Sequence, residues 1–388
     1  EFLEIVVEAR PVAQQPEDLM VCEDIVPDAV NGIPTPGRAT IDLTVQDEMI
    51  FGGPLGPTDQ VNYFTSLADA TANTNAIPDP TMFMNTSDPQ VIWAVVEDTT
   101  TSCPSSPPVS FTVDVKEVPY TDLSDTGGDI CVDPATGEVL ELITLDATPE
   151  TIIPGAIYTY AWRLDGSLVS IDPTITVEAV GTYSVTVTAI YTDAITGMIH
   201  ECSYQAETTF TAISAPLFEV EVVEDAFNSG GTYTVQVVEG SITGFGSAEY
   251  EFSIDDGPFG ESTVFTNVRP GEHTVFGRRV DGNCPPTPAE IGIIDYPRFF
   301  TPNNDGFHDT WNILGIGTPP NLNAKIFIFD RYGKLLKQIS PTSPGWNGTF
   351  NGQPMPSNDY WFRVEYNEAD ENGQLIAKEF SGHFTLKR

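Results

Sequence analysis

Across the 388 residues, no long stretch places apolar side chains at helical spacing. What recurs instead is short alternating runs closed by turn residues. Examples are Val91-Ile92-Trp93-Ala94-Val95-Val96-Glu97-Asp98 and Gly181-Thr182-Tyr183-Ser184-Val185-Thr186-Val187. A strand sends successive side chains to opposite faces, so such a run buries one side and wets the other. In the first run this places Val91, Trp93 and Val95 together on one face. With 32 prolines and 32 glycines between the runs, the pattern predicts an all-β chain of tandem Ig-like β-sandwich domains in a rod.

Proline follows an apolar strand at Pro11, Pro119, Pro216 and Pro297. Short joints of this kind are semi-rigid, and they divide the chain into modules at 11–118, 119–215 and 216–296, with a tail at 297–388. Residues 1–10 read as the end of a preceding module, which makes the chain the C-terminal portion of something longer. The cysteines keep register with the joints. Cys22 lies 11 residues after Pro11 and Cys131 lies 12 after Pro119, while Cys103, Cys202 and Cys284 come late in their modules. An early and a late cysteine in each of the first two modules predict the disulfides Cys22–Cys103 and Cys131–Cys202. Asn228 stands where module three would carry its early cysteine, which leaves Cys284 either a free thiol, the preferred reading, or joined to another chain. Each bond would remove about 4 kcal/mol of unfolded-state entropy and needs an oxidising compartment.

The formal charge is −40, all of it upstream of residue 297, because nine Lys or Arg balance nine Asp or Glu beyond that point. The acidic part repels nucleic acid and anionic lipid and makes a soluble, self-repelling surface. No apolar run approaches the roughly 18 residues that span a bilayer, so direct membrane insertion is not expected.

In module two, Trp162 sits on a predicted central strand, Asp165-Gly166 is a hairpin turn, and Gly181-Thr182-Tyr183 opens an alternating strand. Core and corner roles follow for Trp162 and Tyr183. In module three, Arg278-Arg279 are adjacent bases within acidic surroundings and are expected to balance local carboxylates.

The tail opens with Tyr296-Pro297-Arg298-Phe299-Phe300-Thr301-Pro302-Asn303-Asn304-Asp305-Gly306-Phe307-His308-Asp309-Thr310-Trp311. A buried strand there gives way to a polar turn. Gly345-Trp346-Asn347-Gly348-Thr349, Asp359-Tyr360-Trp361-Phe362 and the closing Gly382-His383-Phe384-Thr385-Leu386-Lys387-Arg388 follow. This series resembles the gliding motility-associated C-terminal domain of Bacteroidetes proteins, the type B sorting domain of the type IX secretion system. The resemblance implies a secreted, cell-surface protein whose tail is read by the outer-membrane translocon together with a partner outer-membrane β-barrel. Sorting or docking would rest on Phe299, Thr301, Pro302, Asn303, Asp305 and Gly306 in the lead-in loop and on Phe384, Leu386, Lys387 and Arg388 in the closing strand. For Phe299 and Phe384 a core role is the favoured reading. The upstream modules are similar to the Ig-like, polycystic-kidney-disease-type and adhesin repeats of large flavobacterial surface proteins.

Chemistry is sparse. Four scattered histidines, with His200 read as a loop residue, form no nucleophile–base pair, and no phosphate-cradling or zinc motif is present, so no enzyme is expected. Asn303, Asp305 and Asp309 offer oxygens to calcium, but Asn-Asn-Asp-Gly is also ordinary turn chemistry, and the first positions depart from a calcium loop. No other cofactor is expected. Asp98-Thr99-Thr100 resembles the O-glycosylation site of this phylum, with Thr99 carrying the sugar. The alternative to a display-and-secretion role is an adhesin whose stalk binds extracellular polysaccharide. That reading requires an exposed aromatic platform, for which Trp93 and Trp162 are the candidates, or a deep cleft.

Overall fold

The computed structural model describes residues 10–24, 36–192, 197–228, 231–369 and 374–388, so all but the last residue of the segment read as the end of a preceding module lies outside them. The chain divides into two compact units, residues 1–128 with 142–210, and residues 129–141 with 211–388. Strands dominate both, as the alternation predicts. Among the described residues no helix is long and apolar enough to cross a membrane.

In the first unit, module one is built on Leu19–Cys22, Val109–Lys116, Gln90–Asp98 and Asp59–Phe64, paired in that order. Two short helices, Asp47–Phe51 and Leu67–Ala72, stand beside them. The main core takes Ile92, Ala94 and Val96 from the central strand, packed with Tyr63, Phe111 and Val113. Val91 is exposed, while Trp93 and Val95 join a smaller cluster with Phe64 and Ala70. The face carrying Val91, Trp93 and Val95 is thus the secondary one. Both faces of this strand are apolar, so alternation alone does not rank them.

Module two pairs Ile157–Leu164 with Gly181–Thr192, which pairs in turn with Ile199–Ile213. Trp162 is fully buried and donates its indole N–H to the Asp172 carbonyl at 3.0 Å. The Tyr183 hydroxyl donates to the Ala179 carbonyl at 3.0 Å, as a corner tyrosine does. Asp165 and Gly166 both adopt positive φ, 47° and 83°, in the two-residue turn before Ser167–Ser170.

The cysteine pairing differs from the expectation. The bonds are Cys22–Cys202 and Cys131–Cys284, and the exposed free thiol is Cys103, not Cys284. Strand geometry supplies the reason. Cys22 is in register with Lys116, whereas Cys103 is in register with Asp98, beyond the opposite end of the Val109–Lys116 strand. Eleven residues of extended chain separate the two levels, roughly 35 Å. Cys131 clusters with Ile213 at one end of the Ile199–Ile213 strand, and Cys202 lies at the other end. Early and late cysteines therefore sit at opposite ends of a module. The recurrence is real, but each early cysteine bonds the late cysteine of the next module.

In the second unit, module three stacks two three-stranded sheets around Phe218, Tyr233, Val235, Phe252, Val275 and Ile293. Arg278 pairs with Glu251, and the buried Arg279 pairs with Asp281 at 2.8 Å, the local balancing expected of them. The tail domain is a five-stranded sheet in the order Phe299–Phe300, Leu375–Leu386, Asn358–Ala369, Lys325–Phe329, Leu335–Ile339. Alternate residues Tyr360, Phe362, Val364 and Tyr366 face the core with Ile326, Ile328, Phe384 and Leu386. Trp311 and Trp346 cover that core.

Candidate docking site

The tail's two sequence signatures meet at one end of this sheet. The lead-in strand Phe299–Phe300 pairs in parallel with Thr385 and Leu386 of the closing strand. The Thr385 amide donates to the Arg298 carbonyl at 2.9 Å, and the Lys387 amide donates to the Phe300 carbonyl at 3.0 Å. Adjacent strand residues face opposite ways, so only one of the two phenylalanines can enter the core. Phe300 is buried, and Phe299 is exposed beneath the Lys387 ammonium, which sits 4.4 Å from its ring centroid. The favoured core reading of Phe299 is therefore corrected. Phe384 is core as expected, stacked on Trp311 at 3.8 Å, and Leu386 is buried as well.

Beyond the strand, the loop folds on its own side chains. The Asp309 carboxylate accepts the amides of Asn304 and Gly306. Asp305 accepts the Phe307 amide at 2.8 Å, which holds its carboxyl below the usual aspartate range. Asn303 accepts the Asp305 amide at 3.1 Å. A calcium ion here would have to share oxygens that already serve these amides. Among the described residues, the cluster of three metal-capable side chains within 4.8 Å of one another lies elsewhere, at Cys22, His200 and Cys202. Two of those are joined in a disulfide, and His200 is on a strand, not in a loop.

Thr301 and Pro302 are half-buried, and Asn303, Asp305 and Gly306 are exposed. The Arg388 guanidinium donates to the carbonyls of Met355, Gly348 and Pro302 at 3.1, 3.2 and 3.4 Å. It ties Arg388 to the base of the hairpin at residues 349–354 and to the lead-in loop. Gly348 has φ 73°, and a Cβ there would lie 2.7 Å from Leu386 Cδ1, so this turn position requires glycine. The same end of the sheet displays aromatics that the motif reading passed over, namely Phe307 at 74%, Tyr332 at 86% and Trp361 at 42% exposure. Their signal was an aromatic residue placed in, or outward from, a turn, where burial cannot explain it. Elsewhere, Thr99 is exposed and its hydroxyl donates to the Thr58 carbonyl at 2.9 Å. Trp162 is buried and Trp93 half-buried, which weakens the polysaccharide reading.

Strand-built modules followed by a terminal sheet closed by its own last strand define an all-β, multi-domain chain. Residues 294–380 match the CHU_C type IX secretion signal domain, and residues 18–119 match the Flavobacterium inter-domain disulphide bond domain. The last quarter of the chain is thus a type IX secretion signal, and the protein is secreted and associated with the cell surface. The signal implies contact with the secretion machinery. No curated protein sequence matches the chain. Among solved structures, the N-terminal eight Ig domains of Down Syndrome Cell Adhesion Molecule share 11% identity at a TM-score of 0.26, over 97% of this chain and 48% of that one. This chain therefore spans about half the length of that structure. Three N-terminal domains of the bacteriophage RB49 Hoc protein share 15% identity at a TM-score of 0.21, over 64% of this chain and 94% of that one. A Ca2+-stabilized adhesin with which an Antarctic bacterium binds ice shares 14% at 0.23, over 87% and 92%. Likenesses this weak leave the fold to rest on the strands themselves.

Proposed function

We propose that the loop end of the tail sheet is the face read by the translocon and a partner outer-membrane β-barrel, and that the acidic modules form a non-catalytic stalk displaying what lies upstream. The observation that carries this reading is the parallel pairing of the lead-in strand with the closing strand. It assembles Phe299, Thr301, Pro302, Lys387 and Arg388 beside the exposed Phe307 in one place. Exposed aromatic and cationic side chains on a domain without net charge suit a protein surface and avoid the repulsion that the acidic modules would meet.

The test is capture from native outer membranes by the full chain, beside the full chain lacking residues 382–388 and a Phe299→Ala/Phe307→Ala double variant. Recovery of a β-barrel or translocon component by the intact chain, lost on truncation and weakened in the double variant, is the expected result. Equal recovery by all three would remove the loop end from consideration.

A further inference from the structure

The two disulfides obey a rule that the third joint also obeys, without sulfur. Cys22 and Cys131 stand 11 and 12 residues after the prolines that open modules one and two, and each fastens its module to the next. The same count from Pro216 falls on Phe227 and Asn228. Phe227 is 7% exposed, and the cluster that buries it is the core of the tail domain, not that of module three. Its ring stacks on Phe380 at 4.1 Å and 7°, meets Tyr366 edge-on at 5.6 Å, and lies 6.2 Å from Tyr296. Its amide donates to the Ile294 carbonyl at 3.0 Å.

Two further features mark this as a built contact. Phe227 has φ 62°, a left-handed conformation that is unfavourable for a bulky aromatic residue and persists only where its surroundings enforce it. Asp225, in the same turn, also lies within electrostatic reach of Tyr366 and Lys378 on the tail's long hairpin.

We infer that Phe227 is the non-covalent counterpart of the cysteine staples, and that the aromatic receptor formed by Tyr296, Tyr366 and Phe380 makes module three a working part of the secretion signal. The signal's functional boundary then lies upstream of residue 294, where the family match begins. Without Phe227, the receptor opens an aromatic hollow on the tail and the long hairpin loses its packing partner. This inference rests on the sorting role proposed for the tail.

The experiment uses the full chain with Phe227→Ala, Phe227→Leu and, as a control within module three's own core, Val235→Ala. Amide hydrogen exchange is read at residues 362–366 and 376–384, with surface display measured in cells that carry the type IX machinery. Phe227→Ala is expected to speed exchange at both tail segments by at least about tenfold, with Phe227→Leu restoring most of the protection. Val235→Ala should leave the tail segments unchanged. Display should fall severalfold for Phe227→Ala alone. Unchanged tail exchange in Phe227→Ala overturns the coupling. Full display of Phe227→Ala overturns the claim that module three belongs to the signal, and equal loss of display in Val235→Ala overturns the claim that Phe227 is the link through which it does so. Display that survives deletion of residues 382–388 would instead sink the sorting role itself, and the export half of the inference with it.

Discussion

Phe299 and Phe384 show how far a single residue's role depends on which way its strand faces. Both belong to the same recognisable series, yet one is exposed and the other is wrapped by Trp311, Phe300, Trp346, Tyr360 and Phe362. Phe384→Ala should therefore cost about 3–5 kcal/mol through the cavity it leaves. Phe299→Ala should stay within about 1 kcal/mol while weakening capture of the outer-membrane partner. Denaturant unfolding followed by tryptophan fluorescence, run beside the capture assay, separates the two. A large stability loss for Phe299→Ala would show that the exposed ring is structural after all. Sequence alone could not assign these roles, because two adjacent phenylalanines at the lead-in leave open which one faces inward.

At the scale of the element, strands and turns were legible and their partners less so. The alternation of Gly181–Thr192 and the Asp165-Gly166 turn specify their own geometry, and both stand as expected. The strand Gln90–Asp98 was ambiguous because apolar residues occupy both its faces. The tail's parallel pair was out of reach for another reason: a two-residue strand has no periodicity, and its partner lies more than 80 residues away. That pair should be the tail's weak point. Replacing Thr385 with proline removes the amide that donates to Arg298, and is expected to cost roughly 1–3 kcal/mol and to speed exchange around residues 299–302. Protection there that survives Thr385→Pro would mean that the Lys387–Phe300 bond and Arg388 suffice to hold the loop.

The cysteine register shows what one chain can reveal about the whole molecule and where it stops. Spacing from each proline located equivalent places in successive modules, but the ends of a sandwich come together only in three dimensions. The sequence separations of 180 and 153 residues give each staple about 5 kcal/mol of unfolded-state entropy, more than a bond within one module would give. Cys103 occupies in module one the place that Cys202 and Cys284 hold in the next two. Alkylation of the native chain without reductant should label Cys103 alone, and peptide mapping should recover the pairs 22–202 and 131–284. Recovery of 22–103 would contradict the fold of module one.

The response to pH follows from how the acidic residues are spent. Asp98, Asp122, Asp133 and Asp305 are held below the ordinary 3.8 by hydroxyls and amides of their own turns: first the Thr100 hydroxyl for Asp98, then the amides of Ser124, Thr136 and Phe307 for the others. The stability they add is complete above that ordinary value and is lost as pH falls through their lower folded values. Glu23 and Asp47 behave oppositely. Burial raises both, against the Val118 and Gly37 amides that bind Glu23 and the Tyr63 hydroxyl that binds Asp47. Their contribution is complete below their ordinary values of 4.5 and 3.8, and is lost as pH rises through the raised folded values. Self-repulsion among the uncompensated −40 charges adds to the loss on the alkaline side. The denaturation midpoint should therefore be higher near about pH 5 than near about pH 7.5, and should drop below about pH 4, with added salt raising the value at pH 7.5 most. A midpoint that falls steadily from pH 7.5 to pH 5 would mean that carboxylates favoured in their ionised form outweigh both the buried pair and the charge repulsion.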